Sequence, residues 1–93
     1  MSNGPSTILM MPDEVMPLKR AADYAQRNDS TMKRWVKKHG IGRQAGSHGR
    51  IEVSILGLSM VLHEDWPALE ALKAGDRSSP LVRRHIEHLG LPG

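Results

Sequence analysis

Hydrophobic positions fall into short runs separated by Gly, Pro and polar clusters, and most of the runs repeat at helical spacing. Leu18, Ala21, Ala22 and Ala25 stand at i, i+3, i+4 and i+7, one stripe of a short helix with Pro17 near its first turn. The small Ala21 and Ala22 let a neighbouring helix come close. Gln26–Ser30 interrupts the pattern, and Asn28 is suited to cap a second helix with Asp29 in its first turn. That helix is predicted to reach about Lys38 and to stop at Gly40. On a helical wheel Met32, Trp35, Val36 and His39 share an arc of roughly 100°. Ser30, Lys33, Arg34 and Lys37 take the opposite side, so the apolar stripe is expected to face inward and the cationic stripe outward.

Two weakly alternating segments follow, Ile41–Ala45 and Arg50–Val53, around Gly46-Ser-His-Gly49. Two glycines in four residues are hairpin chemistry, with Ile41 and Ile51 directed at the core and Arg43 and Arg50 away from it. Ser54 is placed to cap a third helix over Ile55–His63, with Ile55, Leu56, Leu58, Val61 and Leu62 on its buried side. Asp65 and Pro67 open a fourth helix through Leu69 and Leu72 to Gly75. Ser79 and Pro80 open a last one, Leu81 to about Leu89, ended by Gly90 and Pro92. Residues 1–14 show no apolar period and read as a flexible arm. The expected organisation is an arm over 1–14, a domain over 15–64 and a helical extension over 65–93. The fold class is mainly α with a small β-hairpin wing, a winged helix-turn-helix with short C-terminal helices.

Composition narrows the chemistry. Ninety-three residues suit one small domain. With no Phe and only Trp35, Trp66 and Tyr24 as aromatics, its core must rest on aliphatic side chains and those rings. The absence of cysteine excludes a disulfide, a thiolate nucleophile and a cysteine zinc site. The apolar piece Ile8–Met11 is too short for a signal sequence or a membrane span, and a soluble, cytoplasmic protein is expected.

Charge is the informative quantity. Residues 19–50 carry nine Lys or Arg against two Asp, a local +7, whereas the rest of the chain carries four basic and eight acidic residues, or −4. Concentrated positive charge calls for an anionic partner. A helix presented by a helix-turn-helix fits the major groove of double-stranded DNA. The expected recognition-helix contacts are Ser30, Thr31, Lys33, Arg34, Lys37 and Lys38. Arg34 is the foremost base reader, and Lys37 and Lys38 meet phosphate. Arg43, Gln44, Ser47, His48 and Arg50 are the contacts expected from the hairpin, and Lys19 and Arg20 further phosphate contacts. Trp66, Leu69, Leu72, Leu81 and Arg84 are candidates for a protein contact, with completion of a small core as the alternative.

The runs Leu18-Lys-Arg-Ala-Ala-Asp-Tyr24, Ser30-Thr-Met-Lys-Arg-Trp-Val-Lys37, Gly40-Ile41 and Gly49-Arg-Ile-Glu-Val-Ser54 resemble the excisionase-like winged helix, related to the DNA-binding end of MerR-type regulators. The likeness spans residues 17–62. It departs from the family at Gln26 and Arg27, where the turn often has Gly and an aliphatic residue, and at Gly57 in the third helix. The resemblance implies an architectural protein, an excisionase or recombination directionality factor. Such proteins bind adjacent DNA sites cooperatively, bend the DNA and direct an integrase of the tyrosine recombinase type toward excision. It also admits an AlpA-like transcription regulator and a small terminase subunit of DNA packaging. A protein-interaction module with an incidental basic face is the reading from another class.

No catalytic constellation, cofactor or metal is expected. His63-Glu64-Asp65 lacks the second half of a zinc-enzyme motif, and His85 and His88 alone make a weak ligand pair on what reads as a surface helix. Gly40-Ile-Gly-Arg43 lacks the lysine of a phosphate loop.

Overall fold

In the computed structural model, which describes residues 8–44 and 50–92, a short 3-10 turn (Pro12–Glu14) leads into β1 (Val15–Pro17) and α1 (Leu18–Ala25). After these come α2 (Asp29–His39), β2 (Gly42–Gln44), β3 (Ile51–Ser54), α3 (Ile55–Leu62), α4 (Trp66–Lys73) and α5 (Pro80–Leu89). The described residues are thus mostly helical, with a three-stranded antiparallel sheet in the order β1-β3-β2. β3 is central: Met16 and Gly42 both face Val53, and Pro17 and Arg43 both face Glu52. Pro17 lies on an edge strand, where its missing N–H costs no ladder bond.

Helix boundaries follow from their caps. Asn28 Oδ1 accepts the Thr31 N–H at 2.8 Å, and Ser54 Oγ accepts that of Gly57 at 3.0 Å. Asp65 Oδ1 accepts from Ala68 at 3.4 Å, and Ser79 Oγ from Leu81 at 3.2 Å. Each such cap contributes about 1 kcal/mol. α1 ends differently. Gln26 takes a left-handed φ of 57°, at the very turn where the resembled family often has glycine. A residue with a Cβ holds that conformation at a cost of about 1 kcal/mol.

The stripe read on α1 is real: Ala21, Ala22 and Ala25 are buried, and α2 packs against α1. Met32 is the fully buried anchor of α2, while Trp35, Val36 and His39 are half-buried. α3 is covered almost all round, with Ile55 through Val61 buried. It packs against β3, α1, α4 and α5. An ideal Cβ on Gly57 would stand 2.8 Å from Ile8 Cδ1, 2.9 Å from Ile41 Cγ2 and 3.1 Å from Ile41 Cβ. The departure noted at Gly57 therefore has a packing cause: only a glycine lets Ile8 and Ile41 rest on the helix.

Three expectations are corrected by this packing. The arm foreseen over 1–14 is part of the fold from Ile8 onward, since Ile8 is 2% exposed within the core. Glu14 is buried as well, and its carboxylate pairs with Arg77 between α4 and α5, while Arg77 also donates to the Leu9 carbonyl at 3.5 Å. A division at residue 64 does not mark a break in packing, because Leu69, Leu72, Val82 and Ile86 share one apolar cluster with Ala21, Met32 and Val53. Leu69 and Leu72 are thus core residues and offer no contact surface, leaving Trp66 and Leu81 exposed. Finally, His85 is buried rather than on a solvated face, as α5 turns it toward α3 and the start of α4.

Helix propensity alone says that Gly57→Ala should stabilise α3 by roughly 1 kcal/mol. Overpacking against a β-branched neighbour costs roughly 1–3 kcal/mol. The expected outcome is a net loss of stability, read as a lowered urea midpoint; an unchanged or raised midpoint would show that Ile8 and Ile41 give way freely.

Candidate nucleic-acid interface

α2 presents its cations because its other side is anchored by Met32. Ser30, Lys33, Arg34, Lys37 and Lys38 are exposed along the free face, and Thr31 is half-buried with its N–H committed to the Asn28 cap. Lys37, Lys38 and His39 occupy the last turn, where the helix dipole favours positive charge, and Gly40 closes the helix at a φ of 67°. On α1, Lys19 and Arg20 are exposed too. Among the described residues none of Lys19, Arg20, Lys33, Arg34, Lys37 and Lys38 belongs to an ion pair. Their charge is available to an outside partner.

The β2–β3 hairpin is drawn against α2 by a close approach that the sequence reading did not single out. A Cβ on Gly42 would lie 2.6 Å from the Glu52 carbonyl oxygen and 2.9 Å from Val36 Cγ1. Glycine at this strand position lets Val36 of α2 sit directly on β2. The signal was a lone glycine inside an alternating segment, which marks close backbone approach. Arg43, Gln44 and Arg50 are exposed on the hairpin. Arg43 is partly neutralised, because its Nε donates to Glu52 Oε1 across the strands at 2.9 Å, with both side chains about half exposed. Ser47 and His48 lie outside the described residues.

At the other edge of α2 the chain builds an aromatic cluster. Arg27 is held by the carbonyls of Ala25 and Gln26 at 3.1 and 3.2 Å, which sets its guanidinium 5.4 Å from the centre of the Trp35 ring. Trp35 meets His39 edge-on, and His39 stacks on Trp66 at 5.2 Å with 25° between the planes. Burial, with Lys38 and Lys73 nearby, pushes the His39 pKa down and favours its neutral ring. Trp66 joined the candidate residues on apolarity, but its contact with α2 was not legible because it crosses from one helix to another.

Comparison with protein-family models, with curated proteins and with solved structures finds no match to the chain. The candidate interface therefore rests on its own geometry.

A third cluster has the residue types of a catalytic triad without its access. His85 Nε2–H donates to Asp65 Oδ2 at 2.8 Å, and in the neutral ring Nδ1 accepts the Ser59 hydroxyl at 2.9 Å. Ser59 is 1% exposed, so no substrate reaches its oxygen, and the trio instead ties α3, α4 and α5 together. Arg84, one of the candidate contact residues, adds a second cation on Asp65 Oδ2 at 2.8 Å. His63 donates from Nδ1 to the Ser59 carbonyl at 2.8 Å and meets His85 and His88 edge-on. Among the described residues no three His, Asp or Glu side chains form a metal-binding group, and no helix is long and apolar enough to cross a membrane.

The hydrogen bond from His85, supported by Arg84 and the Ala68 N–H, holds the Asp65 carboxyl below the usual carboxylate range against the opposing effect of burial. A depressed folded-state pKa contributes stability above the unfolded value and loses it as pH falls through the folded one. Asp65→Asn should therefore cost about 2 kcal/mol near neutral pH. Its urea midpoint should converge with that of the parent protein well below about pH 4. A constant offset at every pH would remove the charge from the account. Separately, Gly42→Ala is expected to lower stability by about 2 kcal/mol or more, because a backbone oxygen cannot move aside as a side chain can. Broadened or shifted amide resonances in β2 and around Val36 would confirm that the loss arises there.

Proposed function

We propose that this protein binds double-stranded DNA as a winged helix-turn-helix, with α2 in the major groove and the β2–β3 hairpin as the wing along the backbone. The observation that carries the reading is the set of unpaired cations along the outer face of α2, beside an exposed hairpin that Gly42 holds close. Eleven residues of α2 span roughly 16 Å, and the groove is about 12 Å wide, so one face of the helix reaches base edges while its flanks meet both phosphate strands. Arg34 stands in the middle of that face and takes the base-reading role, since guanidinium pairs bidentately with guanine. Lys33, Lys37 and Lys38, with Lys19 and Arg20 on α1, take phosphate roles that set register. Asp29 offsets some of the positive field at the start of α2, which concentrates the attraction on its middle and end.

Within that reading the role is architectural. A small cationic protein of excisionase type would bend attachment-site DNA, assist an integrase and occupy neighbouring sites together. The support for this finer assignment is the ordered set of sequence motifs from Leu18 to Ser54.

A duplex selected from a random pool should be retained in a mobility-shift titration with steep salt dependence. Arg34→Ala should weaken it by roughly 1–3 kcal/mol and relax preference at one base pair, whereas Lys37→Ala should weaken all duplexes alike and lower the salt slope by about 1. Affinity indifferent to both substitutions would put the DNA surface elsewhere. Comparing the mobility of permuted fragments then tests bending.

A further inference from the structure

Spacing along α5 puts His85 beside His88, yet packing gives His88 a different histidine. Both ring nitrogens of His85 are used, one on Asp65 and one on Ser59. His63, which closes α3, instead brings its ring to 5.7 Å from that of His88, centre to centre, with the planes nearly perpendicular. Both residues are exposed, and they line a depression of about 450 Å³ completed by Glu64, Asp65, Arg84 and His85.

The donor set has a definite chemistry. A carbonyl oxygen only accepts, so the 2.8 Å bond from His63 Nδ1 to the Ser59 carbonyl keeps the proton of the neutral ring on Nδ1. Nε2 is left with a lone pair. Metal-bound histidines have this arrangement, one nitrogen tied to a carbonyl and the other free to ligate. The edge-on contact with His85 at 5.8 Å steadies the same ring. A metal about 2.0–2.1 Å from one nitrogen of each ring, at a tetrahedral or wider angle, sets the ring centres roughly 5–6 Å apart, as His63 and His88 are. Asp65 is no third ligand, because Oδ1 caps Ala68 and Oδ2 takes Arg84 and His85. Those bonds also balance the Arg84 charge, whereas the Glu64 carboxylate belongs to no ion pair among the described residues and leaves this lining a net attraction for cations.

We infer that His63 and His88 together bind a divalent cation of the imidazole-preferring class, Zn²⁺, Ni²⁺ or Cu²⁺, with water in the remaining positions. The cation fastens the end of α3 to the last turn of α5, and by binding only the folded chain it stabilises the fold. Magnesium and calcium, which prefer oxygen ligands, are not held. Neither histidine belongs to the proposed DNA surface, so the inference does not depend on the DNA reading.

The test titrates the full chain with zinc chloride, followed by the histidine ring proton resonances and by the urea midpoint, with magnesium chloride as the comparison. One saturable equivalent per chain is expected, shifting the His63 and His88 resonances together and raising the midpoint, and magnesium should do neither. His63→Gln and His88→Gln should each weaken zinc binding by at least about tenfold, whereas His39→Gln should leave it unchanged. Moving from about pH 7 to about pH 5 should weaken it too, as protons compete for the imidazole lone pairs. His88 is exposed, so its variant decides the matter if His63→Gln does not fold by circular dichroism. Zinc affinity unchanged in His88→Gln, a shift of the His88 resonances without those of His63, or zinc uptake only as one ion between two copies would each overturn the proposal. Duplex affinity equal in His88→Gln and the parent keeps the outcome separate from that of the DNA reading.

Discussion

A helix buried around nearly its whole circumference is the constraint to which the other elements answer. α3 has no solvent side on which to hide a polar group or absorb a misfit, so each neighbour must match it. Ser59 is a polar side chain buried in the middle of α3, and its hydroxyl requires a partner inside the protein. His85 supplies it from α5 and is in turn held by Asp65, the cap of α4. On the opposite side Gly57 leaves a shallow place for Ile8 and Ile41, which fixes how near the amino-terminal segment and the base of the hairpin can come. The positions of α4, α5 and the sheet are thereby consequences of a single eight-residue element.

The same core governs the outer surface. Met32 commits one side of α2 to the interior, and the dipole-compatible cations of its last turn are left facing out. Val36 on Gly42 sets the hairpin beside that face, and His39 on Trp66 joins its far edge to α4. Cationic and aromatic surfaces are therefore carried on opposite flanks of one helix, each supported by a different neighbour.

Local signals were legible in the sequence. Asn28, Ser54, Asp65 and Ser79 all cap the helices assigned to them, because a cap and its recipient N–H are only two or three residues apart. The antiparallel pairing of Gly42–Gln44 with Ile51–Val53, inside the alternating segments Ile41–Ala45 and Arg50–Val53, was visible for a similar reason. Long-range partners were not. Val15–Pro17 is too short to show a period and becomes a strand only beside β3. Ile8 has no apolar neighbours at regular spacing, and nothing in His85-Ile-Glu-His88 tells which histidine faces a serine 26 positions earlier. Of the interface, the exposed side of α2 follows from the wheel, whereas Arg27 over Trp35 depends on how the chain turns at Gln26.

The pairing of Glu14 with Arg77 joins positions 63 apart, with Glu14 buried and Arg77 partly exposed. On a ribosome the glutamate emerges long before its arginine exists. Until then a carboxylate without its partner is better served by water than by the interior, so the leading segment has reason to stay outside. Final docking of the leading segment thus depends on the trailing helices being in place.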